Sequence, residues 1–243
     1  MKLIIMTTLY NAEKYIGSCI ESVKNQTYKN FKMVITDDMS TDNSREIVKE
    51  LIKDDDRFLL IENQTKFYQP GNYWQISNLD FVEDEDILVT LDGDDFFPDS
   101  DVLSRVFSYY FRTNYLMSFG QFVHYHGPNL YSPGFTSRPN SFINIRNQPW
   151  TTSHLRTFKA KVFKKIDKND LIGPTGNFWE TTGDQAIIYP MIEMVGEEHI
   201  YFTNDINLIY NVETSLNDYK VHSEMQKNYE RLIRSKSQYK RIF

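Results

Sequence analysis

The stretch Val89-Thr90-Leu91-Asp92-Gly93-Asp94-Asp95-Phe96-Phe97-Pro98 runs from apolar and β-branched residues straight into three carboxylates within four positions. Aspartate is a poor strand former, and crowded carboxylates repel one another unless a cation sits among them. An EF-hand loop fails, because Phe96 and Phe97 stand where further oxygen ligands are needed. A solvated turn remains open, as does a divalent cation held by one or two carboxylates and completed by phosphate oxygens and water. The second reading is favoured, because the preceding strand is of the buried type and fixes where the acids point.

Outward from this stretch the chain alternates strands with helices. Leu3 to Met6 reads as a buried strand. A helix follows with its apolar stripe at Ala12, Tyr15, Ile16, Cys19, Ile20 and Val23 and with Asn11 as the expected N-cap. Phe31 to Thr36 is a second strand, ending at Asp37-Asp38. Ser40 to Asn43 offers capping residues for a helix carrying Ile47, Val48, Leu51 and Ile52. Phe58 to Ile61 and Ile87 to Leu91 complete the strands. Such spacing implies an α/β fold with a doubly wound, mainly parallel sheet, in which ligands gather at the carboxyl ends of the strands. Thr7-Thr8, Asp37-Asp38 and Asp92 to Asp95 all fall at such ends, so three polar clusters converge on one edge.

Beyond Pro98 the texture loosens. Asp101 to Thr113, Leu155 to Ile166 and Asp184 to Val195 read as helices, with Pro190 expected to kink or start the last. Leu208 to Val212 reads as a late strand, and Gly127 to Pro149 is rich in loop formers. The 243 residues carry a net charge of −6, which argues against nucleic acid as a partner. The single cysteine, Cys19, leaves no intrachain disulfide and lies in core register. With no signal-like or membrane-spanning run, a cytoplasmic location is expected. Aromatic residues make up 15% of the chain, which by itself fits a large core better than a stacking surface.

In order along the chain, several pieces together resemble the inverting glycosyltransferases of family 2, with the GT-A fold. They are Thr8 to Ile16, Ser22 to Phe31 with its Gln26-Thr27-Tyr28, Asp37-Asp38-Met39-Ser40-Thr41-Asp42, and the Asp92-Gly93-Asp94-Asp95 cluster as a DxD element. The match is dense over the first hundred residues and thin afterwards, mainly at Thr182-Gly183-Asp184-Gln185. The resemblance implies a nucleotide-sugar-binding half over 1–98, an acceptor-binding half over 99–215 and a basic tail over 216–243. It implies a nucleotide sugar, with UDP favoured, held by Thr8, Tyr10, Asp38, Asp92 and Gly93. Asp94 with Asp95 would hold Mn²⁺ or Mg²⁺. Asp184 would be the base that takes the acceptor's proton, with Glu180 as runner-up, and the acceptor would be a glycan or a lipid-linked glycan. The reading of Asp184 as a mere helix cap stays open on sequence alone.

Departures from the family pattern carry expectations of their own. Met39 stands where a glycine is usual and must take a glycine-like conformation. Absence of a Q-x-x-R-W element favours transfer of single sugars over processive synthesis. His124 and His126 share one strand face and read as an ordinary hydrogen-bonded pair. His154 is expected near the donor or acceptor site, and Trp150 and Trp179 are candidates to stack on acceptor sugar, with core packing as the equal alternative. His222 could ligate metal but is better read as a solvated residue. From Lys220 onward seven basic residues face two acidic ones, which suits a solvated face or contact with an anionic membrane. Two rivals remain: a nucleotidyltransferase, disfavoured because Thr7 to Lys14 lacks a glycine-rich loop, and a binding module that has lost turnover.

Overall fold

The computed structural model describes residues 1–214 and 223–243. Its strands are β1 (Leu3–Leu9), β2 (Phe31–Asp37), β3 (Phe58–Glu62), β4 (Ile87–Thr90), β5 (Met117–Tyr125), β6 (Tyr131–Pro133), β7 (Arg156–Lys159) and β8 (Ile200–Asn211). The helices are α1 (Ile16–Lys24), α2 (Ser44–Ile52), α3 (Tyr68–Ser77), α4 (Val102–Tyr110), α5 (Ala160–Phe163), α6 (Gly183–Val195) and α7 (Ser223–Ser235). All eight strands form one sheet in the order β3-β2-β1-β4-β7-β5-β6, with β8 also paired to β5. The β3-β2-β1-β4 run is parallel, as is β5 with β8. β7 runs antiparallel to both β4 and β5, which stitches the two halves of the chain into one sheet.

Strand side chains alternate between faces, so a strand covered on both sides must be apolar at every position. β1 is a direct case. Leu3 and Ile5 pack with Ile16, Ile20 and Val23 of α1, Val48 of α2 and Val106 of α4. Ile4 and Met6 pack on the other face with Tyr73 and Ile76 of α3, Met191 of α6 and Ile233 of α7. Burying each of these aliphatic side chains contributes about 1.5–3 kcal/mol.

Four expectations need correction. Asn11 is not the cap of α1, which begins only at Ile16; it takes a left-handed conformation (φ 49°), and its side chain accepts from the Thr41 amide at 2.7 Å. Leu155 to Ile166 is not one helix. Arg156–Lys159 is a strand because the open edge of β4 needs a partner, and only Ala160–Phe163 is helical. Pro190 does not start α6 but lies within it, and the late strand begins at Ile200 rather than Leu208. The Met39 expectation holds, with φ at 67°.

α3, unread in the sequence, packs closely against α6 and the segment before it, because a glycine removes a side chain at each contact. A Cβ on Gly71 would lie 2.5 Å from the Phe178 ring, and one on Gly183 would lie 2.5 Å from the Pro70 ring. The partner at Gly183 is a ring fixed to its own backbone, so the helices would have to part. Gly183→Ala is therefore expected to cost about 1–3 kcal/mol, read by urea denaturation; an unchanged midpoint would show that this crossing is slack.

Candidate functional site at the carboxyl edge of the sheet

Parallel strands β1, β2 and β4 deliver their last residues to one edge, and a cleft of about 500 Å³ opens there. Its wall includes Thr8, Tyr10, Asp38, Asp92, Gly93, Asp94 and Asp184, so the structure brings together every candidate residue but one. The exception is Asp95. Grouped with Asp94 on sequence, it is buried behind the wall and accepts the Asn211 amide of β8 at 2.8 Å. Its carboxylate fastens the end of β4 to β8 and does not face the cleft.

Asp92 is held from several sides. Its Oδ1 accepts from the Thr8 hydroxyl at 3.0 Å and, more loosely, from Gln69 and the Tyr73 hydroxyl at 3.4 Å. The Gly93 amide donates to the Thr8 carbonyl at 3.0 Å, and a Cβ on Gly93 would crowd that carbonyl at 3.1 Å. Glycine here lets the two strand ends approach. Burial raises the Asp92 carboxyl above the usual range, and burial with the Asp92 charge pushes Asp94 up to about 7. Asp95 is raised well above the usual range, by burial and then by Asp94 and Asp92. Among the described residues the Asp94 side chain has no hydrogen bond or ion pair to another residue, so its oxygens are available to a ligand on the cleft side.

The Asp37-Asp38 pair divides its work. Asp37 is buried, accepts from the Ser40 amide and pairs with Arg45 at 3.7 Å, which holds the β2–α2 turn. Asp38 accepts from Asn63 and from the amides of Phe67 and Tyr68, at 2.8–2.9 Å, and so anchors the start of α3. It still lines the cleft beside Asn72, whose buried Nδ2 has no hydrogen-bond partner among the described residues. Lys66 closes this end with its ammonium 3.0 Å from the centre of the Tyr10 ring. The cleft end thus offers a carboxylate, an orphan amide donor and an aromatic–cation lid, a set that suits a planar polar base.

Asp184 enters from α6. Thr182 is the N-cap, so Asp184 sits in the first turn, where the helix dipole favours a carboxylate. Its Oδ1 accepts from the Gln185 amide at 2.8 Å and its Oδ2 from the Arg156 guanidinium at 2.9 Å. Glu180 also lines the cleft, but Thr175, Asn177 and Tyr229 already donate to its carboxylate. Arg156 went unread in the sequence. It is the first residue of β7, and because β7 is antiparallel to its neighbours this N-terminal residue arrives at the carboxyl edge. Buried there, Arg156 lowers the Asp92 and Asp95 carboxyls against the burial effect, and its Nε has no partner among the described residues.

A second cavity of about 590 Å³ adjoins the first, and Arg156, Asp184, His154 and Tyr210 line both. His124 and His126 are tied through the Ser132 hydroxyl, at 3.5 and 2.7 Å, as an ordinary pair. Trp179 is a core residue, 2% exposed, whose Nε1 donates to the Asp170 carbonyl. His222 and Lys220 lie outside the described residues. In the basic tail, Arg234 and Lys236 turn inward to Glu230 and Asp170, and no helix among the described residues is long and apolar enough to cross a membrane.

A model of the family "Glycosyl transferase family 2" matches residues 4–171, more than half of the chain. The chain belongs to this family. A relative, glycosyltransferase GlyG of Streptococcus pneumoniae, is 30% identical over 132 residues, covering 50% of this chain and 42% of its own length. The chain thus spans less than half of that relative. Among solved structures, S. aureus TarS in complex with UDP-GlcNAc superposes with a TM-score of 0.69 at 17% identity, covering 96% of this chain and 65% of that one. A mannosyltransferase from Pyrobaculum calidifontis in complex with GDP-Man and Mn²⁺ gives 0.63 at 14% identity, covering 98% and 66%. The fold is the GT-A fold.

Arg156 carries the prediction here. Arg156→Gln is expected to lower turnover at least about tenfold and stability by about 1–3 kcal/mol, since the carboxylates around it lose their fixed cation. Steady-state kinetics and denaturation of the same preparation check this; full activity would remove Arg156 from the site.

Proposed function

We propose that the protein is a metal-dependent, inverting glycosyltransferase that moves one sugar from a UDP-sugar to a hydroxyl of a glycan or lipid-linked glycan. The observation that carries this reading is the meeting of two cavities at Asp184, with the acids of β4 on one side only. A donor in the first cavity and an acceptor in the second would have the carboxylate between them, as a single displacement requires.

Asp94 fits a divalent cation by its chemistry, being an unpartnered carboxylate on the cleft wall, with Asp92 beside it. No group of three or more His, Cys, Asp or Glu side chains among the described residues could hold a metal alone. That fits a site in which one or two carboxylates share Mn²⁺ or Mg²⁺ with a diphosphate. Such an ion, when bound, neutralises the charge that builds up on the departing diphosphate. The chain's own residues do the rest. Asp38, Asn72, Tyr10 and Lys66 take the base and Thr8, Asp92 and Gly93 the ribose side. Asp184 accepts the proton of the attacking hydroxyl, whose oxygen bonds to the anomeric carbon as the bond from that carbon to the diphosphate oxygen breaks. The electron pair leaves with UDP, and attack opposite the leaving group inverts the centre. Arg156 and the Gln185 amide hold the carboxylate still, each taking one lone pair of one oxygen and leaving the others for the acceptor.

Calorimetry with UDP, GDP and dTDP, with and without Mn²⁺, tests the donor site. UDP is expected to bind only with the metal and to weaken at least about tenfold in Asp94→Ala; metal-independent binding would overturn the role given to Asp94. Asp184→Asn separates chemistry from binding. Turnover is expected to fall about 10²–10⁴-fold while UDP affinity stays within about twofold, and unchanged turnover would pass the role of base to another group.

A further inference from the structure

The second cavity is built differently from the first. Four aromatic rings form one wall: His154 stacks on Tyr210 at 5.0 Å, and Phe122 meets His124, His154 and Tyr210 edge-on at 5.2–6.1 Å. Trp150, half-buried, stands on the rim beside the Arg156 guanidinium, 5.9 Å from its ring. The charged side chains on the wall, among the described residues, are Arg156, Asp184 and Glu213. Arg156 is answered by Asp184, which leaves Glu213 in excess. Burial holds His154 well below its ordinary range and lowers His124, so these two add little positive charge.

We propose that this cavity is the acceptor subsite and that it takes an uncharged saccharide ring, to the exclusion of phosphorylated or otherwise anionic acceptors. This rests on the glycosyltransferase reading above. A pyranose presents apolar C–H faces that pack on aromatic rings and a rim of hydroxyls that suits neutral imidazoles and a carboxylate. A phosphate placed here would meet the Asp184 carboxylate, with the more exposed Glu213 nearby, and among the described residues the one guanidinium on the wall, Arg156, already donates to Asp184; like charges in a partly desolvated cavity repel. An uncharged ring loses nothing on that account and brings its hydroxyl to the free lone pairs of Asp184.

The test uses the full chain loaded with UDP and Mn²⁺, probed by saturation-transfer NMR with the methyl β-glycosides of glucose, galactose and N-acetylglucosamine. Glucose 6-phosphate and glycerol 3-phosphate are the anionic arm. At least one neutral glycoside is expected to bind, with the anions at least about tenfold weaker. Trp150→Ala should weaken the glycoside about tenfold and Trp150→Phe only slightly, with UDP affinity read in parallel. Octyl glycosides separate the sources of the ring: tighter binding than the methyl forms assigns a lipid-borne glycan and equal binding a soluble one, and both uphold the neutral-ring subsite. Preferential binding of either phosphate, no binding by any neutral glycoside to UDP-loaded protein, or indifference to Trp150→Ala overturns the proposal. Failure of UDP to bind at all instead strikes the donor-site reading.

Discussion

The structure turns on the electrostatic problem at the end of β4. Three carboxylates follow a fully buried strand, and desolvation there favours their neutral forms. The fold answers each acid separately. Asp92 receives hydroxyl donors from β1 and α3, Asp95 receives a backbone amide from β8, and Arg156 spreads positive charge over both. Asp94 is left with none of these partners. A group so placed destabilises the free protein near neutrality and gains most from a ligand that brings positive charge, so binding and folding are linked through it.

Topology decides which residues can take part. Parallel strands send only their last residues to the working edge, so β1, β2 and β4 supply Thr8, Asp38 and Asp92 to Asp94. A residue at the start of a strand reaches that edge only if its strand is reversed, and β7 is such a strand. One antiparallel insertion therefore places the guanidinium among the acids and, through Asp184, links the carboxyl edge to α6. The close contact of Gly183 with Pro70 fixes α6 against α3, since α3 carries Gln69, Asn72 and Tyr73 while α6 carries Asp184.

How much of this could be read in the sequence follows from how local each signal is. β1, α1, β2, α2, β3 and β4 are legible because their apolar spacing is regular and each ends in polar residues. α3 was missed because it is buried on most sides: Asn72 and Ser77 are as inaccessible as Ile76, and Pro70-Gly71 reads as a breaker. β7 was taken for helix because Leu155, Phe158, Val162 and Ile166 keep helical spacing, and only the unsatisfied edge of β4 makes a strand of it. Asp95 was grouped with Asp94 by adjacency, although successive side chains at a strand end point to opposite sides. Arg156 has no local mark of function; its meaning lies in strand direction, which no short motif records.

The contrast between the two cavities follows from the same architecture. The first cavity is walled largely by strand ends and helix starts, whose backbones are tied by the sheet, so its polar groups stand at fixed positions suited to a charged ligand of fixed shape. The second cavity is walled by β5, by the end of β8 and by the segment from Trp150 to Arg156, outside the parallel half of the sheet. Rings rather than ions dominate it, and ring contacts tolerate small displacements that a charge–charge contact does not. Asp184 belongs to both because α6 starts where the two meet. On the proposed reading a base in that position would serve whichever acceptor the ring wall admits, so changes at Trp150 or His124 would alter acceptor choice while the chemistry at Asp184 stayed the same.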